Sequence, residues 1–302
     1  QHCQQKINHN IISVVTNKII ESEDKLRVIN IGLDGFAKDM RQQDVSVVDV
    51  DWYPPADGDP NLNEILKTIN FDQDLLKRIN NANKMVIERV KNANPQVVDI
   101  ISAEEALELP KHTILHSGPP IEWDRMCGPQ KRAVLGAIQF EGWADDEGGA
   151  INLLKKEKIN LFPCHQYNAV GPMTGIISPS MPVLVTKNEP YGNYGFSTFN
   201  EGRGNTLWFG ICDMGTLDRL KWIRDILGPA MKAAVKIHGP INVFDIVEQG
   251  LQMGDECHAR HAASTALLIK QLIPSMLDAG VSGKTVSSII RFMNENSHFY
   301  LN

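Results

Sequence analysis

The sequence predicts an α/β to α+β protein, with an N-terminal βαβ (Rossmann-like) unit, a Gly/Pro-rich central α+β domain and a C-terminal helical segment. Three observations carry that prediction. Two short apolar runs, Leu26–Gly32 and Val45–Val50, flank the helix-spaced stretch Phe36–Gln43. Fourteen of the 23 glycines and eight of the 16 prolines fall between His116 and Gly215. Beyond Gly215 the apolar spacing turns helical, with stops at Gly228-Pro229, Gly239-Pro240, Gly254 and Gly280.

Each element follows from its local chemistry. Residues 1–25 are polar and Asn/Gln-rich and read as a leading arm or helix. Strand, short helix and strand within about 25 residues form a right-handed βαβ unit by default, hence a parallel pair. Trp52-Tyr53-Pro54-Pro55 ends it, and the apolar spacing from Asn61 to Asn94 predicts one or two amphipathic helices closed by Pro95. Val97–Ile101 reads as a strand and Ala103–Leu109 as a short helix. Within the turn-dense middle, helices are expected over Gln130–Ala144 and Ile151–Lys158, and strands over Thr113–Leu115, Val183–Thr186 and Thr206–Ile211. Helices then follow over Leu217–Leu227, Ala230–Ile237 and Ile241–Leu251, and Asp255 is placed to cap a long helix running to Asp278. The expected units are 1–25, an N-terminal α/β domain over 26–110, the central domain over 111–215 with the site, and the helical segment 216–302.

Composition excludes several classes of function. Lys+Arg number 30 against 36 Asp+Glu, a net charge of -6, with no basic stripe, so nucleic acid is not an expected partner. No apolar run approaches the roughly 18 residues of a membrane helix, and no membrane is expected. Five scattered cysteines without CxxC spacing point away from disulfides and zinc, and toward a reducing cytoplasm. No cofactor motif is present: GxxxxGK[ST] is absent, and Gly32-Leu33-Asp34-Gly35 lacks GxGxxG spacing. Gln1 in place of Met, and an end at Asn302 without helix-stop chemistry, read as cut ends.

Four stretches could carry chemistry. In the first, His116-Ser117-Gly118-Pro119-Pro120, the backbone at Ser117 and Gly118 could present N–H groups to an anion, helped by Arg125 and the start of the next helix, the alternative being a tight proline turn. In the second, Pro163-Cys164-His165 to Asn168 and on through Ser178-Pro179-Ser180, His165 is suited to proton transfer and Asn168 and Ser178 to polarising a small polar substrate. Neighbouring residues on a strand face opposite ways, so a Cys164–His165 nucleophile pair is not expected and Cys164 reads as buried filler. The third is Asn200-Glu201-Gly202-Arg203, in which Asn200 and Glu201 could hold an amide and Arg203 a carboxylate, or which could be an ordinary hairpin turn. The fourth, Asp255–His261, puts His258 and His261 at helical spacing, but HExxH and a third ligand are missing, so no metal is expected.

Together these stretches resemble the YlbE/YahG family of bacterial proteins. The resemblance rests on Val28–Gly32, Val50–Pro55, His116–Pro120, Met126–Pro129, Pro163–His165, Asn168–Met173, Ser178–Pro182, Asn200–Gly202 and Met253–Glu256. It covers the chain from about residue 26 to its end, and family members continue past Asn302. The resemblance implies a subunit of an oxamate carbamoyltransferase of allantoin breakdown, beside FdrA-like and YlbF-like subunits, in which oxalurate and phosphate yield oxamate and carbamoyl phosphate. The SxRT and HPxQ motifs of aspartate and ornithine carbamoyltransferases are absent, so any such site is of a different kind. This chain also departs from the family pattern, with Gln166-Tyr167 where another His is expected and His at 261 in place of Asn, which weakens a metal reading. On this view a small anionic metabolite meets anion anchors Ser117, Gly118, Arg125 and Arg203, orienters Asn168 and Asn200, and His165 or His116 for protons. A homo-oligomer is compatible with these features. The competing functions are a non-catalytic scaffold subunit of the same complex and a metal-assisted amidohydrolase built on His165, His258 and Asp255.

Overall fold

A computed structural model describes residues 26–257 and 260–296. The expected leading arm and His258 lie outside those residues. The chain divides into two compact units at Ile87/Glu88.

In the first unit β1 (Arg27–Ile31), α1 (Asp34–Gln42) and β2 (Ser46–Val50) form the expected parallel βαβ unit, in register Ile29 to Val48. Its polar pins lie on one face. Asp49 accepts from Arg41 and, at 3.1 Å, from Asn30. The Arg41 guanidinium holds the Asp49 carboxyl below the usual range. The following stretch is two helices, α2 (Pro60–Phe71) and α3 (Gln73–Lys91), and the division between units falls within α3. Asp59 caps α2 by accepting from the N–H groups of Asn61 and Leu62, with Pro60 in the first turn where its missing donor costs nothing.

The second unit holds two sheets. The larger contains β10 (Ile241–Asn242), β3 (Pro95–Ser102), β8 (Pro182–Asn188), β9 (Asn193–Thr198) and β6 (Ala169–Val170), in that spatial order. The smaller has β4 (Thr113–His116) between β5 (Asn160–Pro163), which is parallel to it, and β7 (Ile176–Ile177), which is antiparallel. Short helix α4 (Ala103–Leu107) links β3 to β4, capped by Ser102. The crossover from β4 to β5 runs through α5 (Gly128–Phe140) and α6 (Glu147–Lys155). All four residues of β4 are buried, as a parallel strand covered on both faces requires. Ile114, Ala133, Val134 and Ile138 form the core between this sheet and α5.

The helical segment comprises α7 (Met214–Trp222), α8 (Gly228–His238), α9 (Val243–Gln252), α10 (Ala262–Asp278) and α11 (Gly283–Glu295). Val97, Ile100, Leu227, Met231, Leu272 and Ile289 join it to the larger sheet in one core. Asp255 does cap α10, accepting from the N–H groups of Ala263 at 3.1 Å and Ser264 at 2.7 Å.

Three local expectations are corrected, and one strand not expected from the sequence appears. Thr206–Ile211 is not a strand but a turn of 3-10 helix over Leu207–Phe209, because Thr206 O accepts from the N–H groups of both Phe209 and Ile211. Of the apolar side chains that suggested a strand, Leu207 and Trp208 are buried while Phe209 is exposed. Asn193–Thr198, without aliphatic alternation, is a strand because β8 pairs with it along its length. Gly228-Pro229 does not stop the helix. A π turn over Ile223–Leu227 widens the backbone ahead of it and carries α7 into α8, which relieves the clash a proline makes with the preceding turn. Gly228 also lies where a Cβ would come within 3.0 Å of Pro182. Finally, Ile241 pairs with Val97 before α9 begins under an Asn242 cap.

Gly210 combines two demands. Its φ is +75°, and a Cβ would meet the Cα and carbonyl oxygen of Pro129 at 2.7 Å. Backbone on both sides leaves nothing to yield. Gly210→Ala is expected to cost about 2 kcal/mol or more, read as a lower urea midpoint at an unchanged m-value.

Candidate functional site

The carboxyl ends of β4 and β5 lie side by side, with His116 paired to Pro163. Ligands in α/β sheets gather at such ends. The chain leaves β4 through Ser117, whose N–H donates to Gly175 O at 3.0 Å, so the β7 side still holds it. The Ser117 carbonyl accepts from Gln130 Nε2 and from His116 Nδ1, each at 3.0 Å. A carbonyl only accepts, so a neutral His116 carries its proton on Nδ1 and presents the Nε2 lone pair. The ring is 1% exposed and Nε2 makes no hydrogen bond among the described residues.

That imidazole lines an open cleft of about 360 Å³ with Pro120, Glu122, Trp123, Glu157 and Gln166. The volume falls in the range of small-molecule sites. Gly118 is exposed, with φ +86°. Arg125 ends the turn Trp123–Arg125 and is exposed, but it does not line the cleft. The two other cations of this segment are engaged elsewhere: Lys131 donates to Asp124 O at 2.9 Å and lies over the Trp123 ring, and Arg132 donates to Gly210 O at 2.9 Å.

After β5 the chain makes a 3-10 turn over Cys164–Tyr167. Cys164 is buried inside it, and burial pushes its thiol up to about 12, which removes it as a nucleophile. His165 is exposed on the same turn, two residues past the partner of His116. Asn168 closes the turn in the left-handed region, φ +53°, and its carbonyl accepts from the Phe196 N–H.

The remaining candidates lie apart from the cleft, Ser178 against Glu141 and Asn200, Glu201 and Arg203 in a second cluster. Ser178 is fully buried, and its hydroxyl donates to Glu141, whose same oxygen accepts from the Ser180 N–H at 2.9 Å and the Ser180 hydroxyl at 3.0 Å. Asn200 is buried and folds the loop on itself, its Oδ1 accepting from the Gly202 N–H at 2.8 Å. Arg203 is exposed, while its backbone N–H donates to Asn296 Oδ1. Glu201 is 8% exposed and its carboxylate accepts from the Leu207 N–H. Burial raises its carboxyl to about 7, against the lowering pull of the Leu207 and Trp208 amides and the Arg219 charge. Arg219 Nη1 in turn donates to the carbonyls of Glu201, Arg203 and Asn205. Glu201 faces a cavity of about 20 Å³, room for a single water, shared with Pro172, Gly175, Thr198 and Trp208. Gly175 therefore adjoins both clusters: its carbonyl holds Ser117 and its body lines the Glu201 cavity.

Three residues with structural influence here had escaped sequence reasoning. Gln130, Glu141 and Arg219 stand on or just after helices and reach loops far away in sequence, so no local pattern marks them. In the fourth stretch, the Asp255 carboxylate is held by Ala263 and Ser264, and His261 is buried at the cap of α10. Among the described residues no group of three or more His, Cys, Asp or Glu could hold a metal ion, and no helix is long and apolar enough to cross a membrane.

The sequence resemblance has direct counterparts. The family model for oxamate carbamoyltransferase subunit AllG matches residues 159–302. The uncharacterized protein YahG of Escherichia coli is 38% identical over 275 residues, 91% of this chain and 58% of that protein. The oxamate carbamoyltransferase subunit AllG of Escherichia coli is 40% identical over 227 residues, 74% of this chain and 54% of that protein. The crystal structure of a conserved protein of unknown function from Enterococcus faecalis V583 matches with a TM-score of 0.72 at 37% identity, covering 74% of this chain and 54% of that one. The chain spans a little over half the length of the relatives it matches.

The Glu201 environment makes stability depend on pH. With a folded value near 7 and an ordinary value of 4.5, the group favours the folded state fully below about pH 4.5, and that contribution is lost as pH rises through 7. The loss is on the order of 3 kcal/mol. Urea unfolding followed between pH 5 and pH 8 should therefore show a steeper decline for the wild type than for Glu201→Gln, which cannot ionise.

Proposed function

We propose that this chain, a YahG/AllG-like protein, acts as a subunit of a carbamoyltransferase on a small anionic amide, exchanging a carbamoyl group between oxamate and phosphate in allantoin breakdown. In the synthetic direction the oxamate amide nitrogen attacks the carbamoyl carbon of carbamoyl phosphate. The C–N bond forms, the C–O bond to phosphate breaks, and phosphate leaves with the electron pair. The proton lost by the amide nitrogen passes to a base and ends on phosphate. Phosphorolysis of oxalurate is the reverse.

The observation that carries the reading is the buried His116, fixed with its Nε2 lone pair facing a cleft at the carboxyl ends of two parallel strands. A positioned imidazole is the usual carrier for such a proton. Arg125, exposed two residues past the cleft-lining Trp123, is the anion contact of this chain, with the backbone of Gly118 on the same loop. His165 and Asn168 sit on the neighbouring turn and orient the carbamoyl carbonyl. The Asn200–Arg203 loop connects to the cleft through Gly175, which lines the Glu201 cavity and accepts from Ser117, while Ser178 is held by Glu141. The reading carries with it FdrA-like and YlbF-like subunits as partners, a cytoplasmic setting and no cofactor.

One observation favours a share of the anion binding falling to a partner subunit: Lys131, Arg132 and the Ser117 amide are already engaged within this chain. Co-purified subunits assayed for carbamoyl phosphate formation from oxalurate and phosphate provide the test. His116→Asn keeps a donor for the Ser117 carbonyl but removes the acceptor nitrogen. It is expected to lower kcat by about 10²- to 10⁴-fold. Arg125→Ala is expected to raise KM for phosphate or oxalurate without loss of fold. Full activity in both variants would leave this chain a scaffold whose partner does the chemistry.

A further inference from the structure

The lining of the His116 cleft is short of positive charge. Glu122 and Glu157 contribute carboxylates, His116 contributes an acceptor nitrogen, Trp123 an indole surface and Gln166 an amide, and neither lysine nor arginine lines it. The carboxylates alone would be an acidic patch. What makes this a site is the imidazole behind them, 1% exposed, its Nδ1 bound to Ser117 O and its Nε2 left as an acceptor at the cleft wall.

A phosphate or carboxylate placed there would meet like charges and a lone pair. An uncharged planar group rich in N–H would find acceptors on several sides and an indole to lie against. We infer that the cleft is the subsite for the N–H-bearing, uncharged carbamoyl or ureido end of the substrate, so that the charged end points outward, toward Arg125 at the rim. This rests on the carbamoyl-transfer reading for the identity of the substrate, but the preference for an N–H-rich neutral group over an anion comes from the polar members of a lining that is otherwise apolar, with Ile121, Leu154, Ile159, Leu161 and Phe162. It also assigns Glu122 and Glu157 a role in specificity, as acceptors for the terminal amide.

Two measurements test it. In the purified chain labelled with ¹⁵N-histidine, N-methylurea should move the Nε2 resonance of His116, and inorganic phosphate at the same concentration and ionic strength should not. In the assembled complex, Glu122→Lys, a change at an exposed position, should raise KM for oxalurate about tenfold, with kcat less affected. A Glu122→Lys variant with a lowered KM for phosphate or oxalurate overturns the assignment, because the cleft would then be the anion site. Movement of His116 by phosphate and not by N-methylurea, or by neither, overturns it as well. The two readings fail separately: a wild-type complex without carbamoyl transfer removes the proposed reaction, while the N-methylurea titration still decides the chemistry of the cleft.

Discussion

Everything that gives this site its shape passes through the carbonyl of Ser117. Strand β4 is four residues long and wholly buried, so its backbone groups must be paired on both sides, by β5 and by β7. Where β5 and β7 end, the chain has to leave the sheet without stranding its polar groups. The Ser117 N–H goes to Gly175, and the Ser117 carbonyl collects Gln130 from the following helix and the ring of His116. The backbone of one residue therefore ends the strand, anchors α5 and sets the tautomer of the imidazole. A side chain held this way has its rotamer fixed before any ligand arrives, which is what preorganisation requires.

The loop after β9 obeys a second, reciprocal constraint. Arg219 donates to three backbone carbonyls of the segment 201–205, while Glu201 accepts the amides on the far side of the same loop. The loop carries glycines of positive φ at 202, 204 and 210 and has no ladder partner of its own. Side-chain charge and amide dipoles replace the ladder. The Glu201 carboxyl is buried to do this, and its raised ionisation follows from that burial whether or not it takes part in a reaction. A perturbed carboxyl is thus a weaker pointer to chemistry here than the unoccupied acceptor on His116, because structural networks shift ionisation as readily as active sites do.

The division of charge around the cleft bears on assembly. This chain spans a little over half the length of the relatives it matches, and one of them is named as a subunit of a carbamoyltransferase. With Glu122 and Glu157 in its lining, and with Lys131 and Arg132 engaged by backbone carbonyls, the cleft leaves Arg125, exposed, as the remaining cation of its segment.

Sequence alone determined the parallel βαβ unit, the helices after Gly215 and the Asp255 cap, because these depend on the apolar period, short-range capping and chain stiffness, all of which are local. It also picked out His116 and Glu201, since imidazole or carboxylate beside glycine and proline is conspicuous in any string. Tertiary structure decided what those residues do. Thr206–Ile211 has the composition of a strand, but no edge is open to it, and its own turn bonds satisfy it better. Asn193–Thr198 looks like a loop, yet β8 offers it a full ladder. Gln130, Glu141 and Arg219 govern loops 13 to 39 residues away. Whether a histidine presents a lone pair, or an arginine is free to meet an anion, depends on which backbone groups the fold leaves unpaired beside it, and that pairing exists only once distant segments have come together.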